Sequence, residues 1–412
     1  MVTSRRYLLT ILIFLPLFSF SATKFDSYKG LVMAGYQGWF NTPTDGADRG
    51  WNHYQKKQLF EPGTCKIDMW PDMREYTNKY PTDFRYANGE TAYVFSSYDE
   101  STIDLHFKWM KEYGIDGVFL QRFIVTLKSE SCRNHSHKVL KSVLAAAKKY
   151  ERVVAVMYDL SGMEADDYTI LLDDWNSIVK EFGVNDRNKY SNYLFHNGKP
   201  LVAVWGVGFN DKRKYGLDAA NKIVNSLKDN KNSVLLGVPT YWRTLTNDTE
   251  SDSQLHTLLQ NIDILHPWFV GRFDEERYDT FLPHIEEDVM WCKKHGVDYV
   301  PTVFPGFSWY NMKTGSKINQ IPRNKGNFYW KQFAGAIQSG AEMIYVAMFD
   351  EIDEATAIFK CVHEAPIGES KFVTIDNELD TDHYLWLTGQ AKLMLNKKLP
   401  FSWQQPSINL KN

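Results

Sequence analysis

Eight short β-branched apolar runs, separated by amphipathic stretches, predict an α/β fold closed as a (β/α)₈ TIM barrel with a long excursion after the first strand. Two further observations narrow the class. The chain has 412 residues, 43% of them apolar, and no internal repeat, low-complexity stretch or Pro/Ser-rich linker divides it. No GxGxxG follows a run and no GxxxxGK[ST] occurs, so open sheets that cradle nucleotide phosphates lack their signature loop.

The elements follow in order. Arg5 and Arg6 form a basic start, Leu8 to Phe18 an apolar stretch, and Ser19 to Ala22 a small-residue cleavage region. Residues 1–22 therefore read as a general secretory signal rather than a twin-arginine one, and residues 23–412 as a single barrel domain. The apolar stretch is too short for a membrane span, so a secreted or periplasmic protein without stable membrane insertion is expected. The eight runs are Leu31–Tyr36, Asp116–Gln121, Val153–Tyr158, Leu201–Trp205, Val234–Pro239, Ile262–Pro267, Tyr299–Phe304 and Met343–Phe349. Each is nearly all apolar, as strands covered on both faces are. Lys138–Tyr150, Asp218–Leu227 and Tyr278–Lys294 carry apolar residues at helical spacing. The excursion, Gln37 to Asp104, contains a strand at Ala92–Phe95 and leads into a helix over Thr102–Tyr113. Segments of that length in a compact domain are usually functional.

Composition excludes some functions. A net charge of -3, from 47 basic and 50 acidic residues, is not that of a nucleic-acid surface. Aromatic residues make up 15%, with 13 Trp and 23 Tyr. Such rings fill cores, and they also stack on the apolar faces of sugars; composition alone favours the first reading. Cys65, Cys132, Cys292 and Cys361 are too widely spaced for a redox or zinc motif, which leaves disulfides and buried thiols both open.

Barrel enzymes place their chemistry at the C-terminal ends of the strands. Those ends carry aromatic and hydrogen-bonding side chains here: Tyr36 and Trp39, Gln121, Asp159, Tyr241 and Trp242, His266 and Trp268, and Trp309. With Trp51 and His53 from the excursion, these are the candidate residues of a carbohydrate cleft. The strongest signal is the run Asp350-Glu351-Ile352-Asp353-Glu354 after the last strand. Four carboxylates in five residues are not all expected to be buried, because uncompensated buried charges are costly. A solvated loop or the acidic first turn of a helix would also explain such a run. Its place on the catalytic face favours chemistry instead. Glu351 and Glu354 are three apart, so a helical turn would set both on one face as an acid and base pair.

These residues resemble glycoside hydrolase family 99, the endo-α-mannosidase and endo-α-mannanase family, and its 71/99-like relatives. The likeness rests on the Glu-x-x-Glu after the last strand, Met33 to Phe40, Trp51-Asn52-His53, and Glu112 to Gly117, within a span from about Lys29 to about Phe359. The resemblance implies retaining cleavage of α-mannosides through a 1,2-anhydro sugar, without a cofactor. Glu351 would act as base on the sugar's 2-hydroxyl and Glu354 as acid/base. Ile352, Asp353 and Ala355 depart from the family's Trp, His and Gly. That departure bears on the substrate more than on the carboxylate pair, and leaves xylan, arabinan or α-glucan as other substrates.

Two other functions fit parts of the sequence. A carbohydrate-binding protein on a retired scaffold would keep the aromatic cleft but lose a carboxylate, and both are present. A metal-dependent hydrolase could recruit His53, His266 and Asp159, but no HxH or HExxH supports it. Asn41, Asp45 and Asp48 lack the spacing of a calcium loop and read as turn formers.

Overall fold

The computed structural model describes residues 25–407, so the predicted signal at 1–22 lies outside the described residues. The first strand is β1 (Val32–Tyr36), buried throughout. The excursion follows. It contains an antiparallel hairpin, β2 (Tyr80–Arg85) and β3 (Thr91–Val94), and ends in α1 (Glu100–Tyr113). Next come β4 (Gly117–Phe123), the short α2 (Ile124–Leu127), α3 (Glu130–Tyr150), β5 (Val153–Asp159) and α4 (Tyr168–Phe182). A two-residue strand, β6 (Phe195–His196), pairs antiparallel with β7 (Lys199–Trp205). The remaining elements are α5 (Leu217–Asp229), β8 (Ser233–Val238), α6 (Gln254–Leu259), β9 (Ile264–Pro267), α7 (Glu275–His295), β10 (Asp298–Tyr299), β11 (Thr302–Val303), α8 (Asn327–Gln338), β12 (Ile344–Val346) and α9 (His383–Leu395).

All eight predicted barrel strands are present. β1, β4, β5, β7, β8 and β9 pair in that order, all parallel, and β12 pairs with the other side of β1. Closure is made by the seventh strand, which is broken in two. β10 pairs with β9, and β11 pairs with β12. Between them Val300 N still donates to Leu265 O, while Pro301 offers only its carbonyl, which accepts from Tyr345 N. A residue without an N–H thus marks the point where the strand passes from one neighbour to the other.

One continuous apolar core fills the barrel and the layer between strands and helices. Close packing at the barrel mouth depends on glycine. A Cβ on Gly35 would meet the Tyr345 hydroxyl at 2.2 Å, and one on Gly237 would meet the Trp205 ring at 2.4 Å. The four cysteines are unpaired, three of them buried, which settles the open alternative in favour of thiols. Among the described residues no helix is long and apolar enough to cross a membrane.

Candidate active site

A cleft of about 530 Å³ opens at the C-terminal ends of the barrel strands. Its floor is built from side chains that point up the barrel. Gln121, near the end of β4, donates from Nε2 to the Tyr345 hydroxyl at 3.0 Å, and that hydroxyl lies 3.7 Å from Met157 Sδ and 3.6 Å from Met348 Sδ. Gln37, Trp39, Phe123 and Asp159 form one side, and Trp205, Trp268, Phe307 and Trp309 the other. Glu351 and Glu354 both line it.

The acidic run is a turn rather than the helical turn expected, with Ala355 at φ 54. It is held mainly through its backbone carbonyls. Ile352 O accepts from Asp68 N at 2.9 Å and Met69 N at 3.0 Å, Glu354 O accepts from Ser308 N at 2.9 Å, and Glu351 O accepts from Ala357 N at 3.1 Å. Two neighbouring segments therefore clamp it: the excursion and the loop after β11.

The four carboxylates are not all buried, as expected, yet three of them are. Asp350 is 0% exposed, Asp353 2% and Glu351 5%, while Glu354 is partly exposed. Two physical devices make this tolerable. The first is backbone donation: Asp350 accepts from Gln37 N at 2.8 Å and Gly38 N at 2.9 Å, which ties the end of β1 to the acidic turn. The second is proton retention. Burial pushes Asp350 and Asp353 up to about 7, and burial followed by the Asp353 charge pushes Glu354 up to about 7. Burial, then the charges of Glu354, Asp353 and Asp350, raises Glu351 well above the usual carboxylate range. Gln37 Nε2 opposes this by donating to Glu351 Oε1 at 3.2 Å. The Trp309 indole opposes it at Glu354, although its Nε1 makes no hydrogen bond of good geometry. Both members of the pair are thus raised above the usual carboxylate range and titrate together, as an acid/base pair does.

The predicted ligand-contacting residues divide. Trp39, Gln121, Asp159, Trp268 and Trp309 line the cleft with the two glutamates. Burial pushes Asp159 up to about 6, against donation from Ser161 N at 2.7 Å. His53 lies beside the cleft: its ring stacks on Trp39 with centroids 3.7 Å apart, and its Nδ1 is 3.3 Å from Asp353 Oδ2. The other five are not in the cleft. Tyr36 is fully buried and its hydroxyl meets His106 Nδ1 at 2.8 Å. Trp51 packs against Phe60 and Tyr54 inside the excursion. Trp242 is fully buried, donating to Asp288, and Tyr241 packs edge-on against His284. His266 is enclosed beneath the floor, its Nδ1 3.2 Å from Val300 O and its ring 4.3 Å from Tyr345.

These corrections share a cause. Position near a strand end fixes height in the barrel, while the alternation of side chains decides whether a residue faces the axis or the helices. The same rule explains what the candidate list missed. Trp205 and Phe123 stand at strand ends and line the cleft, as do Gln37 beside Trp39 and Ser161, Arg272 and Lys313 in loops. The strand-end residues were readable as aromatics; the loop residues carried no signal in one sequence. Ile352, where the resembled family has Trp, is fully buried and does not face the cleft. His53, His266 and Asp159 do not gather, and among the described residues no group of three or more His, Cys, Asp or Glu is arranged to hold a metal ion. Asp45 accepts from Thr42 N and Ala47 N, the turn-forming role expected of it.

A closed parallel barrel with a carboxylate pair among aromatic side chains at its C-terminal mouth is the arrangement on which (β/α)₈ glycosidases are built. The chain belongs to the DUF5010 family, described as a domain of unknown function, which matches residues 148–366. It is also similar to the glycoprotein endo-α-1,2-mannosidase of Rattus norvegicus, with 20% identity over 333 residues covering 80% of this chain and 68% of that protein. Two solved structures of the GH99 endo-α-mannosidase from Bacteroides thetaiotaomicron share the fold. One, in complex with bis-tris-propane, has a TM-score of 0.64 at 15% identity and covers 90% of this chain and 98% of its own. The other has a TM-score of 0.64 at 14% identity, covering 89% and 98%. The resemblance to glycoside hydrolase family 99 read from the sequence is borne out by these likenesses.

Proposed function

We propose that this protein hydrolyses α-mannosidic bonds in oligo- or polysaccharides with retention, and that it does so after export. The observation that carries the reading is the Glu351/Glu354 pair at the mouth of the barrel, where burial and repulsion among the clustered carboxylates raise both carboxyls above the usual range. Glu354 is the more exposed of the two and stands beside Trp309, so it suits the general acid that protonates the leaving oxygen and later activates water. Glu351 is deeper, and Gln37 donates to it against the rise that burial causes; with the pair's proton on Glu354, it suits the base that takes the proton of the sugar's 2-hydroxyl. Two indole N–H groups on the cleft wall, of Trp205 and Trp309, are buried and make no hydrogen bond of good geometry within the protein. Sugar hydroxyls would satisfy them. The α-mannoside itself is proposed from the likeness to the endo-α-mannosidases, and export from the basic and apolar leader at the N-terminus.

The test is product release from α-mannan, α-glucan and xylan by the full chain and by Glu354→Gln. Release from α-mannan alone is expected, with turnover in the variant lower by about 10² or more and its melting temperature retained. Equal turnover by Glu354→Gln on an unactivated glycan would remove that residue from the mechanism. Release from xylan or α-glucan in place of mannan would overturn the substrate.

A further inference from the structure

Beside the cleft lies a second cavity of about 140 Å³. The two share a wall made of Gln37, Trp39, Gln121 and Phe123. No carboxylate lines the second cavity, and Arg49 does. The surroundings of Arg49 are unusual for a guanidinium. It is partly buried, and among the described residues it makes no ion pair; its Nη1 donates to the neutral Asn41 Oδ1 at 2.9 Å, and the Cys132 thiol lies beside it. The acid whose charge acts on it, Asp45, is already committed, since it accepts from Thr42 N, Ala47 N, Asn41 Nδ2 and the Ser96 hydroxyl. A desolvated guanidinium without a carboxylate partner is costly unless an anion comes to it.

Two further polar groups converge. Trp39 Nε1 is buried without an acceptor, on the wall both cavities share. His53 has no protein partner at Nε2 among the described residues, and that nitrogen donates in the tautomer in which Asp353, raised by burial, gives its proton to the bond with Nδ1. The opposite wall is held by His135, both of whose ring nitrogens are used, on Gly38 O and Asn41 Nδ2. At roughly 30 Å³ per water the volume holds about four or five waters, which is the size of a small tetrahedral or planar group rather than a second sugar chain.

We propose that this cavity is a subsite for an anionic substituent (a phosphate or sulfate ester, or a uronate carboxylate) carried by the sugar in the cleft, with Arg49 as its principal ligand. The proposal rests on the glycosidase reading for the placement of the sugar, and on Arg49 and the cavity for the charge. Arg49 meets the anion with two parallel N–H donors, as guanidinium groups meet phosphates and carboxylates.

The experiment compares kcat/KM on α-mannosides matched in linkage and length: neutral, phosphorylated, sulfated and uronate-bearing. A preference of about tenfold or more for a charged substrate is expected, and its identity names the group. Arg49→Gln should bring the charged-to-neutral ratio close to one, and Arg49→Lys should leave it intermediate. A wild-type ratio at or below one for every charged substrate overturns the proposal, as does a preference that survives Arg49→Gln. Should none of the mannosides be cleaved, the α-mannosidase reading fails separately. Inorganic phosphate and sulfate then decide the subsite: they should raise the melting temperature of the wild type and not that of Arg49→Gln, and equal responses would sink it.

Discussion

Trp268 and Trp51 are the same residue type, both partly exposed, and the two differ in what they face. Trp268 lines the cleft and meets Trp205 nearly edge-on, with centroids 5.4 Å apart at 76°. Trp51 turns inward to Phe60 and Tyr54 at 5.0 and 6.1 Å. Stacking on a sugar and packing in a core have different signatures when the ring is removed. Trp268→Ala should raise KM by an amount worth about 1–2 kcal/mol and move the melting temperature little. Trp51→Ala should cost about 2–4 kcal/mol of stability with KM nearly unchanged. Measuring KM and melting temperature for both variants decides the matter. The reverse pattern would place Trp51 at the sugar and Trp268 in the packing. Glu351, Glu354, Trp39, Trp268 and Trp309 were legible in the sequence because each follows a recognisable strand at the catalytic end. Tyr36, Trp242 and His266 satisfied the same criterion and are buried, because height along a strand says nothing about which way a side chain points.

At the scale of elements, the acidic turn owes its shape to two distant segments. Asp68, fully buried in the excursion, accepts from Tyr310 N at 2.6 Å and Asn311 N at 2.8 Å, next to Trp309. Its own backbone N–H donates to Ile352 O within the acidic turn. One residue thus couples the excursion, the loop that carries Trp309 and the turn that carries both glutamates. Asp68→Ala would leave two buried N–H groups without acceptors, at a cost of about 1–3 kcal/mol each. A lower melting temperature together with a kcat reduced by about tenfold or more is the expected result, since an ångström-scale shift of Trp309 or Glu354 spoils the alignment of the reacting groups. If kcat is retained while stability falls, Asp68 holds the fold and does not position the site. This coupling could not be read from the sequence, where Asp68 and Tyr310 are remote. Elements were legible in proportion to their one-sidedness. The barrel strands and α1, α3, α5 and α7 carry recognisable runs or faces. The helices α8 and α9 are buried on several sides, by Phe328, Tyr329, Trp330 and Phe333 in one and Tyr384, Leu385, Leu387 and Met394 in the other, so no polar face marks their period. In the hairpin, β3 was readable from its apolar residues, while its partner β2 hides behind Pro81 and exposed Asp83 and Arg85.

For the whole molecule, gathering so many buried acids sets how stability depends on pH. Asp350, Asp353 and Glu354 are pushed up to about 7, and Asp159 and Asp288 up to about 6, each with burial as the first cause. Unfolded carboxylates release their protons near pH 4, so between pH 4 and 7 the folded chain holds protons that the unfolded chain has lost. These groups therefore favour folding at low pH and lose that contribution as pH rises through 6 to 7. Buried histidines act the other way. Burial lowers His106 to about 3 and His135 and His266 to about 4, and it also lowers His53, so below about 6.5 the unfolded chain binds protons there that the folded one refuses. From about pH 4.5 to 6.5 the two classes largely offset one another. Above 6.5 the histidines are neutral in both states, and only the carboxylates remain. The melting temperature should therefore be nearly flat from pH 5 to 6 and fall by several degrees between pH 6 and 8. Asp353→Asn removes one of these charges and relieves its repulsion of Glu351 and Glu354. It should flatten the decline and raise the melting temperature at pH 8 more than at pH 5. The same substitution should move the alkaline limb of the activity profile to lower pH, because Glu354 then gives up its proton more easily. Calorimetric melting of both proteins across pH 5 to 8, with kcat/KM measured in parallel, tests the account. A melting temperature that climbs from pH 6 to 8 in the wild type, or an Asp353→Asn profile parallel to it, would show that the acidic turn does not govern the stability of the fold.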